Sequence, residues 1–294
     1  MNRIFFLSAF LLTCVSLFGQ TSYSGFIGRY PIELVTDIYS DGDARAIYAY
    51  SNYDEPMVIN GELKQGLLTL DEKNSTGQVK ATLTFESFDK ESNRLDGVWK
   101  DLKDDRQLPI RLTKNFDMDY GNDIEWTGRE IIQPVSLRNH YFKLVVSKEK
   151  GSFSARVTGV KILEKKTDKL LQELDVSCRL WGLDNISIDD YNFDGVDDFS
   201  VFEQSYAGPN TSSLYFLYDP ETRRYFDSGF SGISLEFDPE TKTIHEWNQS
   251  GPGSSVTTAE YKVVDNKMVM VKQNCFKWDL EREELVERPV EECQ

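Results

Sequence analysis

The chain has 294 residues, of which 49 are acidic and 33 basic, giving a formal charge of −16, with 13% aromatic residues and two histidines. So acidic a surface repels phosphate backbones and argues against a nucleic-acid partner, and two histidines give little material for an imidazole metal cluster or a catalytic triad. The charge would suit a cation or a basic protein as partner, or serve solubility alone.

In chain order, Met1-Asn2-Arg3 is a short positive start, Ile4–Leu12 is an apolar run that Val15–Phe18 extends, and Gly19-Gln20 places a small residue before a cut. This is the layout of a signal peptide over residues 1–19 and predicts a periplasmic or secreted protein. Two alternatives stand beside cleavage. Lipid attachment at Cys14 would put Thr13 where a lipobox prefers Gly, Ala or Ser. A retained anchor would be shorter than the roughly 20 residues a bilayer requires, and no later segment is apolar enough to span one. Cleavage leaves about 275 residues, room for one large or two ordinary domains. It makes the charge one unit more negative and leaves three cysteines, Cys178, Cys275 and Cys293.

Residues 20–116 read as a first β unit. Alternating segments bounded by Gly, Asn, Asp or Pro predict strands at Gly28–Val35, Ala44–Ser51, Met57–Leu63, Leu67–Glu72, Gln78–Ser87, Arg94–Lys100 and Leu108–Leu112. Seven closely spaced strands without helices imply an antiparallel meander that curls into a sheet or a calycin-like barrel. Trp99, Tyr48 and Tyr50 are expected inside, either around an apolar ligand pocket or in a filled core. Residues 117–133, with Asp117, Asp119, Gly121 and Asp123, read as a linker, and residues 134–294 as a second, C-terminal β unit.

Within the second unit, Ala155–Leu163 and Leu170–Val176 read as a hairpin joined by Glu164–Lys169. Asp219-Pro220-Glu221-Thr222-Arg223 and Asp238-Pro239-Glu240-Thr241-Lys242 read as two hairpin turns, because Pro fixes φ and Asp bonds the backbone beyond it. Cys275 and Cys293 flank two strands around a turn near Arg282–Glu284. That hairpin would place the two sulfurs opposite each other as a disulfide, which an exported protein can form. Cys178 is then left as a buried thiol.

The segment with the most chemistry is Asp190-Tyr191-Asn192-Phe193-Asp194-Gly195-Val196-Asp197-Asp198. Oxygen-bearing residues stand at positions one, three, five and nine, and Gly stands at position six, where an EF-hand-type loop turns sharply. Ca²⁺ takes six to eight oxygens, and alternate residues of a coiled loop point inwards. Asp190, Asn192 and Asp194 are thus expected to bind through side chains, Val196 through its carbonyl, and Asp198 directly or through water. Asp189 or Asp197 could complete the shell. Position twelve is Val201 rather than the bidentate Glu of an EF-hand, and the flanks alternate as strands. The site would be a strand–loop–strand structural calcium site of modest affinity. The competing reading is a solvated turn. Neither His140 nor His245 belongs to a ligand cluster by spacing, and no nucleophile elbow or phosphate loop is present.

Ile188–Phe199, the polar loop Gly208-Pro209-Asn210 and the aromatic strands Leu214–Asp219 and Tyr225-Phe226 resemble a family of bacterial periplasmic calcium-binding proteins related to invertebrate-type lysozyme inhibitors and immunity proteins. The resemblance covers Asn185 to about Ile244. It implies an antiparallel β-sandwich for the C-terminal unit, a lysozyme or peptidoglycan hydrolase as partner, and a protruding loop that enters the partner's cleft. Ser205, Tyr206, Gly208 and Asn210 are the candidates for that loop. An acidic inhibitor would be steered toward a basic lysozyme. Three functional readings follow: an exported, non-enzymatic calcium-binding protein of inhibitor type; a cell-wall or carbohydrate-active hydrolase using paired carboxylates; and a calcium-stabilised structural envelope protein.

Overall fold

A computed structural model describes residues 19–51, 53–118 and 121–293. Residues 1–18, which make up nearly all of the expected signal peptide and include Cys14, lie outside the described residues. The described fold is built from 21 strands and two short 3-10 helices at Gly251–Gly253 and Val290–Cys293. No helix among the described residues is long and apolar enough to cross a membrane.

The first eight strands form a closed antiparallel barrel in sequence order. They are β1 (Thr21–Ile27), β2 (Tyr30–Ile38), β3 (Asp43–Tyr50), β4 (Met57–Lys64), β5 (Leu67–Lys73), β6 (Val79–Phe85), β7 (Arg94–Asp101) and β8 (Gln107–Asp117). The seven expected strands correspond to β2–β8. The strand missed in the sequence, β1, is the one that closes the barrel, pairing with both β2 and β8. Ser22, Ser24 and Gly25 dilute its apolar pattern, and its partner β8 lies about 90 residues away, where no local rule reaches. Gly25 is required here: a Cβ at that position would meet the Arg111 carbonyl at 2.1 Å.

The barrel interior is a packed core. Tyr23, Leu34, Tyr48, Leu70, Leu83 and Phe85 are buried together, as suits a barrel of eight strands, whose bore side chains can fill. Tyr48 and Trp99 lie in this core as expected, and Tyr50 is half-buried against it. Glu72 is a buried carboxylate of the barrel, and it accepts Tyr48 Oη at 2.7 Å, Trp99 Nε1 at 3.3 Å and Lys80 Nζ at 2.7 Å. Three donors satisfy a carboxylate that would otherwise be costly to bury.

Three further antiparallel sheets follow. The first holds β9 (Trp126–Ser136), β10 (His140–Lys148), β11 (Arg156–Glu164) and β12 (Leu170–Arg179). The second holds β13 (Ile186–Asp189), β14 (Asp198–Ser205), β15 (Thr211–Asp219) and β16 (Arg224–Asp227). The third holds β17 (Glu236–Asp238), β18 (Thr243–Ser250), β19 (Ser255–Val264), β20 (Lys267–Asp279) and β21 (Glu284–Arg288). The segment expected as a linker over 117–133 therefore carries most of a strand, β9. Pro134 obscured it in the sequence. The strand tolerates the missing N–H because β9 is an edge and its register with β10 is irregular around that residue.

Alternation on β15 explains the layering. Leu214, Phe216 and Tyr218 join the core shared with β9–β12, while Tyr215 and Leu217 join the core shared with β17–β20. The middle sheet is thus buried on both faces, and where a sandwich would have two sheets the C-terminal unit has three. The barrel is joined to this stack. Val35, Ile47 and Ala49, which face out of the barrel, are buried in the cluster that contains Ile131, Phe142 and Leu144. Ion pairs Glu33–Lys143 (2.7 Å), Arg45–Asp184 and Glu55–Lys165 flank that seam.

Both Asp-Pro turns are hairpin turns as expected. Asp219 caps the β15–β16 turn through Glu221 N (2.9 Å) and Thr222 Oγ1 (2.7 Å), and Asp238 caps the β17–β18 turn through Glu240 N (2.8 Å) and Thr241 Oγ1 (2.7 Å). The Arg156–Arg179 hairpin is also present. Cys275 and Cys293 form a disulfide, although the hairpin places Arg288, not Cys293, opposite Cys275. Cys293 reaches the bond because the chain turns back through the 3-10 helix after β21. Cys178 is a buried free thiol.

Candidate functional site

The loop Asp190–Asp198 joins β13 to β14, whose first pair is Asp189 with Asp198. Its odd and even positions separate by chemistry. Tyr191 and Phe193 turn down into the core under the third sheet, and Tyr191 packs edge-on against Tyr215 (4.9 Å) and Phe237 (4.7 Å). The intervening Asp190, Asn192 and Asp194 stay on the loop's polar side. Asp190 accepts Asp194 N at 3.0 Å and Gly195 N at 2.8 Å. Asn192 Oδ1 accepts Asp194 N at 3.2 Å, and Asp194 Oδ1 accepts Val196 N at 2.8 Å. Such bonds require a tight coil, and the backbone supplies it with positive φ at Phe193 (64°) and Gly195 (90°). Only the second is free of steric penalty.

Besides these ring contacts, two hydrogen bonds tie the coil to the turns of the third sheet. Asn192 Nδ2 donates to Asn266 Oδ1 at 2.9 Å, and Lys242 Nζ donates to the Phe193 carbonyl at 3.1 Å. Lys242 thereby sets one positive charge against an acidic loop.

Asp198 behaves differently from its sequence assignment. It is fully buried. Its two oxygens accept Tyr191 N at 3.0 Å and Tyr218 N at 2.8 Å. Burial, with smaller contributions from Asp194 and Asp190, pushes its carboxyl up to about 6. It clamps the base of the loop instead of presenting an oxygen at its mouth. Val196 is half-buried, and Asp194 and Asp197 are exposed. Among the described residues no three Asp, Glu, His or Cys side chains form a group arranged to hold a metal ion. The donors that suit a hard cation here are mixed: the carboxylates of Asp190 and Asp194 and the amide oxygen of Asn192. A carboxylate has about four lone-pair sites, so two amide bonds to Asp190 leave it room for a further partner.

The second candidate, Ser205 with Tyr206, Gly208 and Asn210, is the β14–β15 hairpin tip. It lies at the far end of β14 from the acidic loop, about 23 Å away at 3.3 Å per residue. Tyr206 is exposed, with its hydroxyl accepting Gln204 Nε2 at 2.7 Å. Gly208 has a positive φ and open space around it. Asn210 was expected to face a partner, but it is buried. Its Nδ2 donates to Asn248 Oδ1 (3.1 Å) and Gln249 O (2.7 Å), and its Oδ1 accepts Gln249 N (3.1 Å). Asn210 pins the tip to β18, leaving Tyr206 and Gly208 as its exposed members.

A cleft that sequence reasoning missed lies on the third sheet, with a volume of about 340 Å³. Strand register sets Glu236, His245, Glu260 and Lys272 in one row across β17–β20, and Trp247, Thr258 and Asn274 in the next. Alternation of polar residues on neighbouring strands was the available signal, but the pairings that align them were not readable.

No protein-family model and no curated protein matches the chain. Among solved structures, a Xanthomonas type IV secretion system related protein is similar at 10% identity and a TM-score of 0.27, over 92% of this chain and 99% of that one. A protein from Lactobacillus plantarum gives 9% and 0.25, over 92% and 95%. The β-propeller domain of the Trilobed protease from Pyrococcus furiosus gives 11% and 0.24, over 92% and 84%. Likeness at this level establishes neither a shared fold nor a function.

Proposed function

We propose that this chain is an exported, non-enzymatic calcium-binding protein that contacts a lysozyme or peptidoglycan hydrolase through the β14–β15 tip. The observation that carries the calcium reading is the coil of Asp190–Asp198. Asp190, Asn192 and Asp194 share the polar side of one turn whose amides fix their orientation. Hard oxygen donors in that order fit Ca²⁺, held by Asp190, Asn192 and Asp194 with the Val196 carbonyl. Face-to-face packing of β9–β12 on β13–β16, where Phe142 meets Phe199 at 5.1 Å, is the packing a sandwich of the inhibitor type would use. The ion is structural in this reading, because the loop is a strand length away from the exposed Tyr206.

Thermal unfolding of the chain from Gln20 onward, with Ca²⁺ and with chelator, tests the ion. Ca²⁺ at about 100 times its dissociation constant adds about 2.7 kcal/mol, so wild type should melt higher with Ca²⁺ and Asp194→Ala should not respond. Equal melting of wild type in both buffers removes the calcium reading. Slowed peptidoglycan hydrolysis, weakened by Tyr206→Ala, tests the partner. Absence of inhibition across several lysozyme types removes that part alone.

The hydrolase reading keeps one supporting observation. Glu236 and Glu260 flank His245 two strands apart, about 10 Å between backbones, and paired carboxylates at comparable spacing hydrolyse glycosides. Glu246, which also lines this cleft, bonds Ile233 N (2.8 Å) and Tyr261 Oη (2.5 Å). Glycan hydrolysis by wild type, lost in Glu260→Gln, would favour this reading over the first.

A further inference from the structure

A different cleft, of about 560 Å³, opens where the β10–β11 loop, the end of β12 and the end of β14 meet. Its walls carry Phe153, Arg156, Arg179 and Trp181, and its remaining described lining residues are Ser, Ala and Leu. In a chain with 49 acidic side chains, no carboxylate stands among those lining residues. Phe153 and Trp181 are 62% and 60% exposed, far more than large aromatics usually are.

The site is held rigidly. Phe202 backs the Trp181 indole at 5.2 Å. The buried Asn185 accepts Trp181 N at 2.7 Å and donates to the carbonyls of Trp181 (3.2 Å) and Gly182 (3.3 Å). On the opposite wall, the buried Lys148 ammonium donates to Ile124 O at 2.7 Å and Ser152 O at 2.5 Å, fixing the loop that carries Phe153. Lys148 has only carbonyl acceptors among its described bonds, so its charge adds to that of the two arginines. Arg156 donates to Ser177 O (3.1 Å) and Oγ (3.0 Å), and Arg179 has no described ion pair. The nearby Glu203 accepts Ser212 Oγ at 2.7 Å and lies outside the lining.

We propose that this cleft binds an acidic sugar, with a pyranose ring against Trp181 and Phe153 and its carboxylate on Arg179 and Arg156. A planar guanidinium presents paired donors to a carboxylate. Exposed aromatic faces take the apolar side of a polar ring, a surface with amphipathic character at low entropy cost. A preformed wall lowers the ordering cost of binding. A neutral ligand would leave the arginines unused, and a bare anion would leave the rings unused. The cleft shares no lining residue with the calcium loop and borders the β14–β15 tip at Ser205, without Tyr206 in its lining.

Titration calorimetry of the chain from Gln20 onward tests it, with a uronic-acid trisaccharide, the corresponding neutral trisaccharide, and sulfate as probes. The acidic trisaccharide should bind at least tenfold more tightly than either of the others. Arg179→Gln and Trp181→Ala should each weaken it about tenfold or more at an unchanged melting temperature, while Trp278→Ala, on another sheet, should not. Absence of acidic-sugar binding, equal binding of the neutral sugar, equal binding of sulfate, or equal weakening by Trp278→Ala would each overturn the proposal. Should one variant unfold, the other together with the three-probe comparison still decides it.

Discussion

Asp198 accepts the backbone amide of Tyr218 at 2.8 Å, which fastens the base of the acidic loop to a strand 20 residues further along the chain. The same carboxylate takes Tyr191 N at 3.0 Å, so one fully buried side chain orients both the loop and its neighbour. Asp198→Ala would strand one buried amide, Tyr191 N, and one part-buried amide, Tyr218 N, each costing about 1–3 kcal/mol. Urea unfolding in chelator should show a loss of roughly 2–6 kcal/mol by that arithmetic. Asp194→Ala, at an exposed position, should lose less than about 1 kcal/mol under the same conditions. Similar losses in the two variants would refute the clamp.

The disulfide closes a segment of sequence separation 18. Chain-entropy reasoning assigns such a loop about 3 kcal/mol. Cys293→Ser should lower unfolding stability by about that amount, and a reducing agent should do the same to wild type. A change below about 1 kcal/mol would mean that β20–β21 pairing and the 3-10 helix hold the C-terminal segment without the bond.

Cys178 is completely buried, and burial pushes its thiol up to about 12. A thiolate is the reactive form. In the chain from Gln20 onward, a chromogenic disulfide reagent should therefore leave this thiol unmodified in the native state and titrate it fully in denaturant. Rapid native-state labelling would show that the core shared by β9–β12 and β13–β16, where Cys178 lies, opens locally.

Asp37 is buried on the barrel's outer side, and desolvation raises its carboxyl above the ordinary range, opposed by Gln20 and Arg45. A raised acid binds more protons folded than unfolded. Its contribution is therefore greatest below the unfolded carboxyl pKa and is lost as pH rises through the folded value. Asp37→Asn removes that loss. The variant should gain stability relative to wild type at pH 7 and gain little at pH 3, read from melting temperatures across the range. A larger gain at the acidic end would reverse the sign and reject the assignment.

The sequence by itself determined what depends on neighbours along the chain. Alternation located β2 to β8, Asp-Pro dipeptides located two hairpin turns, and oxygen spacing with Gly195 located a loop that does coil. These are local properties, because strand period, turn dihedrals and Asx bonding are set within a few residues. Even the Cys275–Cys293 bond was readable, since its partners flank one hairpin, although the path by which Cys293 returns was not.

Tertiary structure decided everything that joins distant strands. Whether β1 closes a barrel depends on β8, and whether β9 is a linker or an edge depends on β10. Asp198 looked like a ligand while its spacing alone was considered, yet Tyr218 claims one of its oxygens. Asn210 looked like a contact residue until β18 took its amide. The Trp181 cleft draws its walls from Ser152 to Ser205, a span of more than 50 residues. Side-chain hydrogen bonds and charge balance are settled by which surfaces packing brings together, and residue order does not encode that in any short window.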